Sequence, residues 1–270
     1  MDNLLSLRDF AVSLARLGGD YALRAQEDIV AGHGQISTKA SKLDMVTEAD
    51  RAVEDLITAK IRETFPDHGI YGEERGKSNT ESPYCWCLDP IDGTASYIHT
   101  QQTFTCSVGL YHQGQEIVGA VYAPALREMF YDSQCGGSWC NGRRLHCTDH
   151  ALLENSMLAT GFSCVRQGWK RPNNLDYFCR LTPLVRGVRR LGSAALDCCY
   201  LALGRTDAYW DLNLQPYDCA AGVVIVREAG GMVTDLRGGQ DYPYQGILAT
   251  NGALHETMLG FFQGYSRPEQ

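Results

Sequence analysis

No run of about 18 apolar residues occurs in the 270-residue chain, which excludes an ordinary membrane-spanning helix. No C-x-x-C pair occurs among its eleven cysteines, so the usual spacing of a zinc site is missing. Their number is odd and the chain is not small, which argues against a disulfide scaffold. The opening MDNLLSLRDF places Asp2, Arg8 and Asp9 where a secretory leader needs apolar residues, so reduced thiols in a cytoplasmic protein are expected. Most of these cysteines read as small buried hydrophobes; Cys85 and Cys87 flank Trp86, and Cys198 and Cys199 are adjacent. Positive charge is scarce. A net charge of -8 disfavours nucleic-acid backbones and anionic lipid. The basic cluster Arg186, Arg189 and Arg190, with Lys170 and Arg171 upstream, reads as solvated surface or an ion-pair network. There is no internal repeat, linker or low-complexity tract. One absence is local: no Lys or Arg lies between Glu81 and Arg127.

With 44% hydrophobic and 21% charged residues, the chain can bury a sizeable core, and one unit over 1–270 with two halves is expected. Leu4, Leu7, Phe10, Ala11, Leu14 and Ala15 recur at helical spacing, so an amphipathic helix opens the chain and can continue past Gly18-Gly19. AGHGQISTKASK, residues 31–42, reads as a loop. Thr47 and Asp50 have capping-box spacing, and a second helix begins near 48 and ends before Pro66. From Gly69 to about 150, short apolar runs alternate with glycine turns, the pattern of an antiparallel sheet. From about 151, strand-like SMLAT, VRGVRRL, DAYWDL, MVTD and GILAT alternate with helices near 173–182, 194–203 and 216–229. That pattern is a helix-flanked sheet, and the whole is α+β.

Four acidic stretches fall at element boundaries: Thr47-x-x-Asp50, Gly72-Glu73-Glu74, Asp89-Pro90-Ile91-Asp92-Gly93-Thr94, and Pro216-Tyr217-Asp218. Taken singly, Asp50 could close a cap, Asp218 could complement a helix dipole, and Glu73-Glu74 could be a solvated turn. Asp89 resists so plain an account. YCWCL feeds it, placing it at the end of a buried strand where an unpaired carboxylate costs several kcal/mol. With no cation nearby in sequence and Asp92 adding repulsion, a hard divalent ion, Mg²⁺ above all, would relieve both. Pro90 leaves the Ile91 carbonyl able to face that ion, and amides from Gly93 onward, if they open a helix, form an anion site.

On GEE (72–74), LDPIDGT (88–94), RLGSAALD (190–197), WDLNLQPYDCAAG (210–222) and EAGG (228–231), the chain resembles the inositol monophosphatase family along nearly its whole length. The resemblance implies an αβαβα layered sandwich of the inositol monophosphatase/fructose-bisphosphatase type and a lithium-sensitive phosphomonoesterase using two to three Mg²⁺. The first half would carry most metal ligands, the second the substrate side and Asp218. Glu73, Asp89 and the Ile91 carbonyl would hold one ion, and Asp89, Asp92 and Asp218 a second. Thr94 paired with Asp50 would orient the attacking water, and the Gly93 and Thr94 amides would bind phosphate. Asp92, Gly192, Ser193, Ala194 and Asp211 would line the alcohol side; Lys39 matches a loop near the third ion. Asp211 departs from the family's usual glutamate and shortens its reach by one methylene. The implied substrate is a small phosphate ester, myo-inositol 1-phosphate first, with fructose 1,6-bisphosphate, histidinol phosphate, NADP or adenosine 3',5'-bisphosphate as alternatives. A regulatory binding protein on the same scaffold is the rival of another class, and a homodimer is expected by resemblance.

Overall fold

Leu7, Ala11, Leu14, Ala15 and Ala22 recur at helical spacing and none is more than 1% exposed, so this stripe is the buried face of one helix. The helix, α1 (Leu4–Val30), continues through Gly18 and Gly19. A Cβ on Gly18 would stand 2.7 Å from the Cys106 sulfur, so the glycine lets helix and sheet approach closely. The structure is a computed structural model and describes residues 4–31, 36–38, 45–166 and 173–263.

Next come β1 (Ile36–Thr38), β2 (Met45–Thr47) and α2 (Glu48–Thr64). The expectation of a bare loop over 31–42 is corrected here: β1 pairs antiparallel with β2. Composition does not signal so short a strand, because its partner lies further along the chain. Then follow β3 (Gly69–Gly72), β4 (Gly76–Ser78), β5 (Tyr84–Asp92), α3 (Thr94–Ile98), β6 (Thr105–His112), β7 (Gln115–Ala123), β8 (Glu128–Ser133), β9 (Trp139–Cys140) and β10 (Arg143–Arg144). They form an eight-stranded sheet in the order β10-β9-β8-β7-β6-β5-β3-β4. It is antiparallel except that β3 and β5 run parallel, a second correction. β4 folds back on the outer edge of β3, so β5 must cross to the other side.

The remaining elements are β11 (Met157–Thr160), α4 (Ser163–Arg166), α5 (Asn174–Leu181), β12 (Gly187–Arg189), α6 (Ala194–Ala202), β13 (Ala208–Asp211), α7 (Pro216–Glu228), β14 (Met232–Thr234), β15 (Ile247–Thr250) and α8 (His255–Gln263). A five-stranded mixed sheet has the order β12-β11-β13-β15-β14. α8 has no counterpart among the expectations from sequence.

Four apolar clusters separate five layers. The first joins α1 and α2 to the large sheet; the second joins that sheet's other face to α6 and α7. The third joins α6 and α7 to the small sheet, and the fourth joins its outer face to α5 and α8. This is the expected αβαβα sandwich. Helix α7 lies directly on the large sheet because Gly109 and Gly119 present no side chain: a Cβ on Gly109 would stand 2.8 Å from that of Ala220. The close approach carries the first turn of α7, and Asp218 with it, to the end of β5. Among the described residues no helix is long and apolar enough to cross a membrane.

Candidate active site

Residues three apart on a regular strand point to opposite faces. Asp89 and Asp92 escape this because the register of β5 against β6 shifts between them, where Pro90 offers no donor to the ladder. Asp89 therefore lies within the strand and Asp92 ends it, a small correction to the expected strand end. Asp89 is 2% exposed and its Oδ1 has no hydrogen-bond partner. Burial first, then repulsion from Glu73, Asp92, Asp218 and Asp50, holds its carboxyl well above the usual range. The four acidic stretches do converge on one field.

Asp92 is treated differently. Its carboxylate accepts from the Ser193 hydroxyl at 2.6 Å and from the Ala195 and Ala194 amides at 2.8 and 3.3 Å. It thus binds the N-terminus of α6, and these bonds oppose a burial effect that still raises its pKa to about 6. Asp218 sits in the first turn of α7 and accepts from the Gln215 amide at 2.5 Å. Burial, followed by repulsion from Asp92, pushes its pKa well up. Tyr217 beside it packs edge-on to Tyr71.

Glu73 stands on the turn after β3, its amide donating to the Leu88 carbonyl. The fully buried Glu54 of α2 holds that turn by accepting from the Glu74 and Arg75 amides at 2.7 and 2.9 Å. Gly72 is required there, because any Cβ would collide with the Glu54 carboxylate. Asp50 is fully buried in the first turn of α2. Thr94 donates its hydroxyl to the Ile91 carbonyl at 3.2 Å. Gly93 precedes α3 with a φ of 95°, and a Cβ would stand 2.9 Å from the Thr103 carbonyl and 3.2 Å from that of Gly192. Glycine is needed for the backbone of the two halves to meet there. Lys39, with Lys170 and Arg171, lies outside the described residues.

A cavity of about 440 Å³ opens beside these groups, walled by Glu73, Asp92, Asp218 and Asp211, with Gly192, Ser193 and Ala194 at the entrance to α6. Asp211 is 4% exposed and accepts from Asn174 Nδ2 (2.5 Å), the Leu212 amide (2.7 Å) and the Tyr209 hydroxyl (3.1 Å). Burial raises its pKa to about 6 against these bonds. Arg186, Arg189 and Arg190 are exposed, as expected, and among the described lining residues Arg190 is the one cation of this cleft.

Sequence reasoning missed three residues. Glu54 carries no motif. Asn174 is found only through its bond to Asp211. Asp197 had a signal, a lone acid inside the apolar run of α6: it lines the cavity, its Oδ1 has no partner, and burial with repulsion from Asp211 and Asp92 raises its pKa well up against the pull of Arg190.

The donors facing Asp89 are hard oxygens, and its unpartnered buried oxygen is what a divalent cation would satisfy, so the residues fit Mg²⁺. Among the described residues no three acidic, His or Cys side chains are already drawn into a ligand cage. The carboxylates share a field without meeting at a point.

The profile of the Inositol monophosphatase family matches residues 3–266. The chain is 42% identical over 232 residues to an inositol-1-monophosphatase of Synechocystis sp., covering 83% of this chain and 78% of that one. It is 36% identical to the Nus factor SuhB of Pseudomonas aeruginosa, covering 96% and 97%. The solved inositol monophosphatase of Anabaena (Nostoc) sp. superposes with a TM-score of 0.86 at 36% identity over 98% of each chain.

Proposed function

The chain belongs to the inositol monophosphatase family, and from that premise we propose that it hydrolyses a small polyol phosphomonoester, myo-inositol 1-phosphate first, with Mg²⁺. The observation that carries this reading is the buried Asp89 oxygen without a partner, facing four further carboxylates from three other elements and its own strand. Glu73, Asp89, the Ile91 carbonyl, Asp92 and Asp218 would hold the ions. Bound Mg²⁺ would neutralise phosphate charge and lower the pKa of water.

The chain's own residues supply the rest. The first amides of α3, starting at Gly93 and Thr94, lack intrahelical acceptors and suit a phosphate oxygen. Thr94, its proton committed to Ile91, offers lone pairs to orient the attacking water, and Asp50 is the nearby carboxylate assigned to that water's proton. Ser193 and Ala194 place the alcohol, and Asp211, fixed by three donors, presents its remaining acceptor capacity to substrate hydroxyls. A cavity of about 440 Å³ suits a molecule of this size.

Phosphate release over inositol phosphate, fructose 1,6-bisphosphate, histidinol phosphate, NADP and adenosine 3',5'-bisphosphate tests the reading; no turnover of any would sink it. Lithium inhibition at millimolar level, lost in Asp218→Asn, tests the second ion site. The name of the Pseudomonas aeruginosa relative supports a second reading, a regulatory binding protein. A binding module gains nothing from mutually repelling buried carboxylates, which favours hydrolysis. A dimer in the cytoplasm completes the proposal, and sedimentation reads the first part.

A further inference from the structure

Side chains alternate across β5. Trp86 and Leu88 are buried against α1 and α2, so Cys85, Cys87 and Asp89 share the opposite face, the one that α7 covers. The two thiols lie two residues apart on that face, the Cys85 sulfur 3.9 Å from the Trp86 carbonyl, and the neighbouring Cys87 thiol lowers the Cys85 pKa, with the Lys77 charge acting the same way. Both cysteines line a second cavity of about 590 Å³ that also holds Lys77. Cys85 is half-buried and Cys87 is 2% exposed, so the pair is reached through that open cavity. Tyr71 and Pro216, each two residues before a cleft carboxylate, belong to the same wall.

The strand selects what can bridge the pair. Alternate Cα atoms of an extended strand lie about 6.6–6.8 Å apart. That is the upper edge of the roughly 4.4–6.8 Å range of disulfides, so direct S–S closure is poorly matched. One interposed atom with two bonds to sulfur of about 2.3 Å spans more. Soft centres select thiolates over the carboxylates nearby.

We propose that Cys85 and Cys87 form a dithiol site, entered through the second cavity, for a soft monovalent metal ion of the Cu⁺ class that takes two sulfur ligands. Occupancy draws the two side chains together on the face that next carries Asp89, and so slows turnover. This last clause rests on the phosphatase reading; the site itself does not.

Phenylarsine oxide is the probe for the pair. Two As–S bonds form and the As–O bond breaks, both thiol protons leave with that oxygen as one water, and no oxidation state changes. Intact mass spectrometry of the full chain is expected to show one aryl-arsenic per chain, removed by a dithiol but not by an equal concentration of monothiol. The adduct should be absent from Cys85→Ser and from Cys87→Ser and present in Cys198→Ser. Peptide mapping of the unsubstituted protein guards against misfolding of a variant: the arsenical should protect Cys85 and Cys87 from alkylation. An adduct retained in Cys85→Ser, or alkylation of both thiols at the unprotected rate, overturns the site. In the second arm Cu⁺ is titrated against a chromophoric chelator; equal copper uptake by wild type and Cys85→Ser overturns the assignment to Cu⁺. Turnover of the adduct should fall roughly ten- to hundredfold, the scale of a displacement near 1 Å. Unchanged turnover at full occupancy overturns the coupling, and the adduct count separates that failure from any failure of the phosphatase reading.

Discussion

Asp89 and Asp211 carry the same side chain at nearly the same burial, 2% and 4% exposed, Asp211 in the wall of the cleft and Asp89 behind it among the carboxylates. Asp211 accepts three hydrogen bonds from Asn174, Tyr209 and Leu212. Asp89 has an oxygen with no partner and four carboxylates repelling it. A buried carboxylate surrounded by donors has its charge compensated; one surrounded by its own kind does not. Asp211 is therefore supplied with donors by the protein itself, whereas Asp89, like Asp197 in the cleft wall, keeps an oxygen that the protein leaves without a partner.

The strongest way to break this comparison is removal of divalent ions. A chelator should abolish phosphate release and Mg²⁺ should restore it, and full turnover in metal-free buffer would mean that the repelling carboxylates are not a metal site. Next in size is Asp218→Asn, expected to lower kcat by about three orders of magnitude through loss of a charged ligand. Its amide oxygen can still accept from Gln215, so α7 stays capped, and with repulsion relieved the metal-free variant should melt no lower than wild type. A drop in melting temperature with kcat unchanged would make Asp218 a cap only.

Thr94→Ala should slow the chemical step by roughly 10²-fold, the scale for misplacing the nucleophile by about 1 Å, with Mg²⁺ affinity kept. Calorimetric Mg²⁺ titration beside single-turnover kinetics separates the two. In the cleft wall, Asp211→Ala should cost about 1.5–3 kcal/mol on polyol phosphates and spare an aryl phosphate. Equal proportional losses in kcat/KM on both substrates would assign Asp211 to structure.

The pH dependence sharpens the same contrast. The Asp211 pKa is raised by burial from an ordinary 3.8 to about 6, so the folded chain binds this proton more tightly than the unfolded chain. Stability from that proton is present below about pH 4, is lost as pH rises through 6, and is constant above. The difference between wild type and Asp211→Asn should therefore fall over this window by about 1–3 kcal/mol, read from urea midpoints. A flat difference across pH 4–7 would show that Asp211 is ionised throughout.

Much of this architecture was legible in the chain. The stripe from Leu7 to Ala22 marks α1, and the alternation of strand-like and helical runs after Ser156 marks the small sheet with α5, α6 and α7, because period and burial are local properties. The parallel pairing of β3 with β5 was not legible, because it follows from where β4 folds back. At the site, the spacing in LDPIDGT already marks a strained acidic pair, since two close acids without a local base cannot both remain charged and buried at low cost.

The division between chain and fold lies at the partners. The sequence by itself determined which side chains bear charge, where the glycines sit and that Asp89 and Asp92 lie close together far from any Lys or Arg in the chain, because these depend on covalent identity and near neighbours. Only the tertiary structure decided that Asp92 binds α6 through Ser193 and Ala195, that Glu54 holds the Glu73 turn, and that Thr94 turns its proton to Ile91. It also decided that Asp211 meets Asn174 across 37 residues. Hydrogen bonds between distant segments depend on layers stacked by apolar burial, which has no direction of its own and reveals its pairings only when the layers close.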